Sequence, residues 1–144
     1  MTPIDTAPYL AGYFDGEGCI TVRDGLRLLI TATHPAACQR MVDAYGGTVV
    51  RRTTKPGCKQ QWVWTCYGMR AVRALDAMLP FLLEKQQQAI LALRWYEIGP
   101  CEERASLAAE ITRLKHISWS IENGVTSELN PSGSASLWNQ PTAR

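Results

Sequence analysis

Nine consecutive residues near the beginning of the chain, Leu10-Ala-Gly-Tyr-Phe-Asp-Gly-Glu-Gly18, constrain the fold more than any other stretch. Asp5 or Thr6 can N-cap a helix that runs into them, Pro8 suits its first turn, and Gly16 or Gly18 can end it. The helix so framed carries two small residues, Ala11 and Gly12, with Gly16 one turn further on. That spacing lets two such helices approach backbone to backbone. It also places two carboxylates, Asp15 and Glu17, at the helix C-terminus, where the helix dipole disfavours negative charge by ~0.3–1 kcal/mol each. Something must offset them. A divalent cation does so directly, and two solvated acids at a helix–strand corner are the plainer alternative.

Two strand-like runs follow, 19–22 and 26–33, rich in β-branched and apolar residues. A two-residue Asp24-Gly25 turn would put Val22 on the same face as Arg27. A three-residue loop, Arg23-Asp24-Gly25 with Gly25 left-handed, pairs Val22 with Leu26 instead. The second register gathers Ile20, Val22, Leu26, Leu28 and Ile30 on one face. Thr21, Arg27, Leu29, Thr31 and Thr33 fall on the other, with Leu29 as the misfit, so this is the register expected. A second helix is predicted from Pro35 to Tyr45, capped by His34 or Thr33 and stopped by Gly46-Gly47. A second hairpin then spans 48–53 and 60–67 around a turn at Lys55-Pro-Gly-Cys58. It sets Trp62, Trp64 and Cys66 on the core face opposite Gln61, Val63 and Thr65. Helices are expected at 69–79 and 80–98, divided by Pro80, and at 102–115. The resulting order, α-β-β-α-β-β-α-α, implies an α+β fold with one four-stranded, mostly antiparallel sheet and helices on one face.

Charge is distributed unevenly. Between Cys19 and Tyr67 seven basic side chains face only Asp24 and Asp43, so a third of the chain carries +5 while the whole carries +2. A basic, strand-rich segment is a footprint for nucleic acid. Other classes recede. A chain of 144 residues is one domain by length, and 46% hydrophobic with 19% charged residues is a globular balance. No apolar run approaches the ~18 residues of a membrane span. The first residues lack a signal-type pattern, so an intracellular protein is expected, cytoplasmic or organellar and nucleoid-associated. Five cysteines without a C-x-x-C pair argue for free thiols. Two histidines, His34 and His116, leave no histidine cluster for chemistry.

The segment Leu10–Gly18 resembles the LAGLIDADG motif of the homing endonucleases, in the variant with aromatic central residues and Glu as the last acid. The resemblance extends over about residues 9–97. It takes in the helix ending in Gly-Gly, the Gln-Trp-Val-Trp strand and the stretch Leu79-Pro-Phe-Leu-Leu-Glu-Lys-Gln86. It implies an endonuclease domain at 1–99, leaving 100–122 as a helical extension and 123–144 as a Gly/Ser/Asn/Pro-rich tail. One motif per chain implies a homodimer with the motif helices on its two-fold axis, packed through Ala11, Gly12 and Gly16. The two sheets would then form a saddle over double-stranded DNA.

The resemblance also implies a site and a reaction. Glu17 would bind Mg²⁺ or Mn²⁺, with the Gly16 carbonyl as a further ligand and Asp15, in a more structural role, as a less favoured one. Lys85 matches the family's active-site lysine. A family glutamine that orders water would fall near residues 32–34, where this sequence has none. The implied activity is site-specific, metal-dependent double-strand cleavage of DNA. The alternative is a catalytically silent scaffold of the same kind, acting as an RNA maturase or a DNA-binding protein. Readout is expected from the polar sheet face through Arg27, Thr31, Thr33, Arg52, Gln61 and Thr65, with Thr21 a further candidate. Arginine and glutamine can engage guanine and adenine bidentately in the major groove. Lys55 and Lys59, near a hairpin tip, would contact phosphate.

Overall fold

The computed structural model describes residues 3–116. The elements, in chain order, are α1 (Pro3–Glu17), β1 (Gly18–Val22), β2 (Leu26–Ala32), α2 (Pro35–Tyr45), β3 (Thr48–Arg52) and β4 (Gln61–Tyr67). Then come α3 (Gly68–Met78), a 3₁₀ turn (Leu79–Phe81), α4 (Gln86–Ile98) and α5 (Glu103–Lys115). The chain divides into two units at Thr112–Arg113, and every element from α1 to α4, with most of α5, belongs to the first. Residues 117–122 and the tail expected at 123–144 lie outside the described residues.

The four strands form one antiparallel sheet in the order β1-β2-β4-β3. Val22 pairs with Leu26 and Ile20 with Leu28, the register of the three-residue loop. That register is selected by burial, because a shift of one residue would turn every apolar side chain of the hairpin to solvent. Ile20, Leu26, Leu28, Ile30, Trp64 and Cys66 are fully buried against Leu10, Phe14, Leu75 and Met78 from the helical layer. Each large aliphatic or aromatic side chain so buried contributes roughly 1.5–3 kcal/mol. The Trp64 indole donates to the Gly46 carbonyl at 2.8 Å, which satisfies the one polar atom it carries inward.

Helix boundaries depart from the local signals in two places. The first helix starts at Pro3 rather than at Asp5 or Thr6, and it takes Pro8 into its body. Pro3 suits an opening turn, whereas Pro8 costs one backbone hydrogen bond that core contacts further along the helix offset. The helix expected at 80–98 is shorter. Pro80 sits in the 3₁₀ turn, residues 82–85 are not helical, and α4 begins at Gln86. Elsewhere the signals hold. His34 caps α2, its Nδ1 accepting from the Ala36 N–H at 3.1 Å. Gly46 and Gly47 follow at φ of 80° and 91°. At Gly47 a Cβ would lie 2.3 Å from the Thr65 carbonyl oxygen, so glycine is required twice over, by conformation and by space. Gly25 is not left-handed, contrary to the expected loop; the turn closes instead through the Arg23 N–H donating to the Gly25 carbonyl at 3.2 Å.

Candidate functional site

The C-terminal end of α1 meets the open face of the sheet at a shallow cavity of about 390 Å³. It is lined by Tyr13, Glu17, Thr31, Ala32, Thr33 and Gln61. Helical spacing brings Tyr13 and Glu17 to one face of α1, four residues apart. Strand alternation brings Thr31 to the open face of β2 and Gln61 to that of β4. Glu17 is exposed, and among the described residues its carboxylate accepts no hydrogen bond and joins no ion pair. Its charge is nonetheless felt: burial and then the neighbouring Glu17 carboxylate push the Tyr13 phenol up. The side chains of Thr31, Thr33 and Gln61 likewise find no hydrogen-bonding partner among the described residues.

Asp15, one turn of the same helix end away from the cavity, is occupied otherwise. It is 9% exposed. Its Oδ2 accepts from the backbone N–H groups of Leu83 at 2.8 Å and Glu84 at 3.0 Å, and its Oδ1 accepts from that of Lys85 at 2.8 Å. Three successive amides just ahead of α4 thus close on one carboxylate, an arrangement that favours negative charge. The Lys85 ammonium turns back and donates to the Asp15 carbonyl oxygen at 2.6 Å. That carbonyl lies in the last turn of α1, where no N–H further along the helix remains to pair with it. Lys85 is therefore docked on the motif helix, two residues from Glu17, rather than extended into water. Asp15, named as a less favoured metal ligand, has both oxygens committed to backbone amides.

The polar face of the sheet presents the expected readers in rows set by the register. Arg27 lies opposite Tyr67, Thr31 opposite Val63, Leu29 opposite Thr65, and Gln61 opposite Arg52. Thr65 shares a hydrogen bond of 3.2 Å with Thr48. Thr33 stands just past the end of β2. Lys55 and Lys59 are exposed in the loop beyond β3, where the Cys58 N–H closes a turn on the Lys55 carbonyl at 3.1 Å around Gly57 at φ 87°. Leu29, Val63 and Val50 form an apolar strip across the middle of the face. Tyr67 and Arg23 escaped the sequence reading. Tyr67 is 60% exposed and shares a cavity of about 510 Å³ with Thr21, Arg23 and Arg27 at the far end of the sheet. Continuing the alternation Gln61, Val63, Thr65 by one step would have found it.

The outer face of α1 separates the three residues expected at a dimer contact. Gly12 and Gly16 are exposed, and a Cβ on either would meet nothing within 4 Å. Tyr9, 53% exposed, lies beside them with its ring 6.4 Å from that of Tyr13. Ala11 does not belong to this face. It is fully buried in the chain's own core, because helical spacing sets it between Phe14 and Asp15 on the side that packs inward.

The side chains lining the cavity with Glu17 offer hydroxyl and carboxamide oxygens, which suit a hard cation such as Mg²⁺. Such an ion keeps several waters and takes only one or two carboxylates besides its substrate's phosphates. The Gly16 carbonyl, in the last turn of α1, also has no acceptor role to fill further along the helix. Among the described residues no group of three carboxylate, histidine or cysteine side chains assembles, so one chain offers one free carboxylate and not a closed cage. None of the five cysteines forms a disulfide, and no described helix is long and apolar enough to cross a membrane.

No family model and no curated protein matches the sequence. Solved structures do match the fold. The homing endonuclease I-CvuI, solved in complex with its target in the presence of Ca, superposes with a TM-score of 0.66 at 23% identity, covering 81% of this chain and 86% of that one. The archaeal intron-encoded homing endonuclease I-Vdi141I, complexed with DNA, gives 0.62 at 16% identity, covering 88% and 96%. The LAGLIDADG homing endonuclease I-GzeII, in complex with its DNA target, gives 0.51 at 14% identity, covering 91% of this chain and 49% of that one. The chain has the homing-endonuclease fold.

Proposed function

We propose that this chain is a LAGLIDADG homing endonuclease, a site-specific DNA nuclease that acts as a homodimer with Mg²⁺ or Mn²⁺. The observation that carries the reading is the partition of the two acids at the end of α1. Asp15 is consumed by backbone amides, while Glu17 stands free in a polar cavity at the edge of a basic sheet face. A free carboxylate beside a bare Gly12–Gly16 helix face favours an active nuclease over a silent maturase or DNA-binding scaffold.

The roles follow from placement. The exposed helix face lets a second α1 pack closely, which would bring two Glu17 side chains together and supply what one chain lacks. Glu17, with the Gly16 carbonyl, would hold the cation, which when bound polarises the phosphate and lowers the pKa of bound water. The Lys85 ammonium, docked on Asp15, places positive charge near that end of the helix, where it would offset charge growing on the phosphate. Arg27, Thr31, Thr33, Arg52 and Thr65 would face the groove, and Lys55 and Lys59 would reach for phosphates beyond it.

Glu17→Gln tests the reading, because it keeps size and hydrogen bonding while removing the charge a divalent ion needs. Cleavage of targets selected from a DNA library is expected to vanish in Mg²⁺ while binding in Ca²⁺ persists. Cleavage at the wild-type rate would refute the assignment.

A further inference from the structure

Gln61 stands apart from the other residues of the sheet face, because it is the one carboxamide lining the Glu17 cavity. The first residue of β4, it lies in the row nearest the end of α1, opposite Arg52 and diagonal to Thr31. Among the described residues its side chain makes no hydrogen bond, although the neighbouring Gln60 side chain donates to the Gln61 backbone carbonyl at 3.1 Å. A carboxamide presents a donor and an acceptor in one plane and carries no charge. Beside a carboxylate it can therefore hold a water molecule by both of that water's functions without competing for a cation. Thr31 and Thr33 also line the cavity, but a β-branched hydroxyl sits close to its strand and has little reach. Gln61 carries its polar atoms two carbons further out, enough to meet a molecule standing between the strand and the helix end.

We infer that Gln61 is a positioning residue for the water that attacks the phosphodiester, and not a reader of bases. This rests on the nuclease reading above. In the step it serves, the water oxygen bonds to phosphorus as the bond from phosphorus to the departing sugar oxygen breaks. The proton of the water passes to solvent and the sugar oxygen takes one up. Gln61 neither gains nor loses a proton; it fixes where the water stands.

Gln61→Leu keeps the volume and removes both polar functions, and Gln61→Asn keeps the carboxamide on a shorter stem. Two quantities are read on the full chain: the base-by-base binding preference in Ca²⁺, and the single-turnover cleavage rate of saturated DNA in Mg²⁺. The expected result is an unchanged preference profile for both variants. Cleavage by Gln61→Leu should fall about 10- to 100-fold, the range that loss of positioning typically costs, and Gln61→Asn should recover part of that loss. A preference lost at one base pair, with cleavage of the bound complex unchanged, would overturn the inference and make Gln61 a base reader. If the wild type binds its targets and cuts none, the nuclease reading itself fails and this inference with it. If the wild type cuts and both variants cut equally well, only the inference fails.

Discussion

Asp15 should act as a latch whose loss both loosens the fold and displaces Lys85. In Asp15→Ala the N–H groups of Leu83, Glu84 and Lys85 lose their acceptor. A hydrogen bond to a charged group contributes ~1.5–3 kcal/mol net, and a buried donor left unpaired costs ~1–3 kcal/mol. The full sum does not apply, because the segment lies at the surface, with Leu83 84% exposed and Glu84 also exposed, so water can replace part of what the carboxylate satisfied. The expected cost is about 2–4 kcal/mol, the partial loss at three part-buried amides together with the freed loop. Against a domain stability of roughly 5–15 kcal/mol the variant stays folded, and its melting temperature drops by on the order of 10 °C. Asp15→Asn should cost less, since one carbonyl oxygen can still face Leu83 and Glu84 while its amide group opposes the Lys85 N–H.

Urea denaturation reads the stability, and a double-mutant cycle reads the coupling to Lys85. If the latch serves to bring the ammonium to the helix end, Asp15→Asn should lower cleavage strongly in the wild-type background and little beside Lys85→Met. Additive effects on cleavage, or an Asp15→Ala chain within about 0.5 kcal/mol of the wild type, would refute the latch.

Gly12→Leu should leave the fold intact, since a side chain there meets open space, yet shift the chain from dimer to monomer in sedimentation and abolish double-strand cleavage. Overpacking of a close contact typically costs ~1–3 kcal/mol, and a variant that remains a dimer would place the interface elsewhere. Stability should also fall in alkali, because burial pushes the Cys38 and Cys66 thiols above their ordinary value of 9.0. Folded thiols with raised pKa values keep their protons longer than unfolded ones, so stability is full below that value and is lost as pH rises through it. Urea melts that show an equal loss for Cys38→Ala and for the wild type would exclude Cys38 as a source.

Local chemistry made most of this fold legible, and tertiary contact decided the rest. Alternation and the three-residue loop were enough for the hairpin register, because burial of Ile20, Leu28 and Ile30 leaves one acceptable pairing. Ala11 was misplaced when it was grouped with Gly12 by size. At ~100° per residue Ala11 falls about 60° from Phe14 and about 140° from Gly16, so the helical period held the answer that composition obscured. The start of α4 was hidden for another reason. Nothing local tells residues 82–85 to stay out of a helix; a carboxylate about 70 positions earlier in the chain holds their amides. Helix electrostatics had nonetheless posed the right question, since two acids at a C-terminus require compensation. The structure answers it for one acid from within the chain, with three amides on the Asp15 carboxylate and the Lys85 ammonium on its carbonyl. Glu17 receives no such answer among the described residues, and under the proposed function a cation shared with a second Glu17 would supply it.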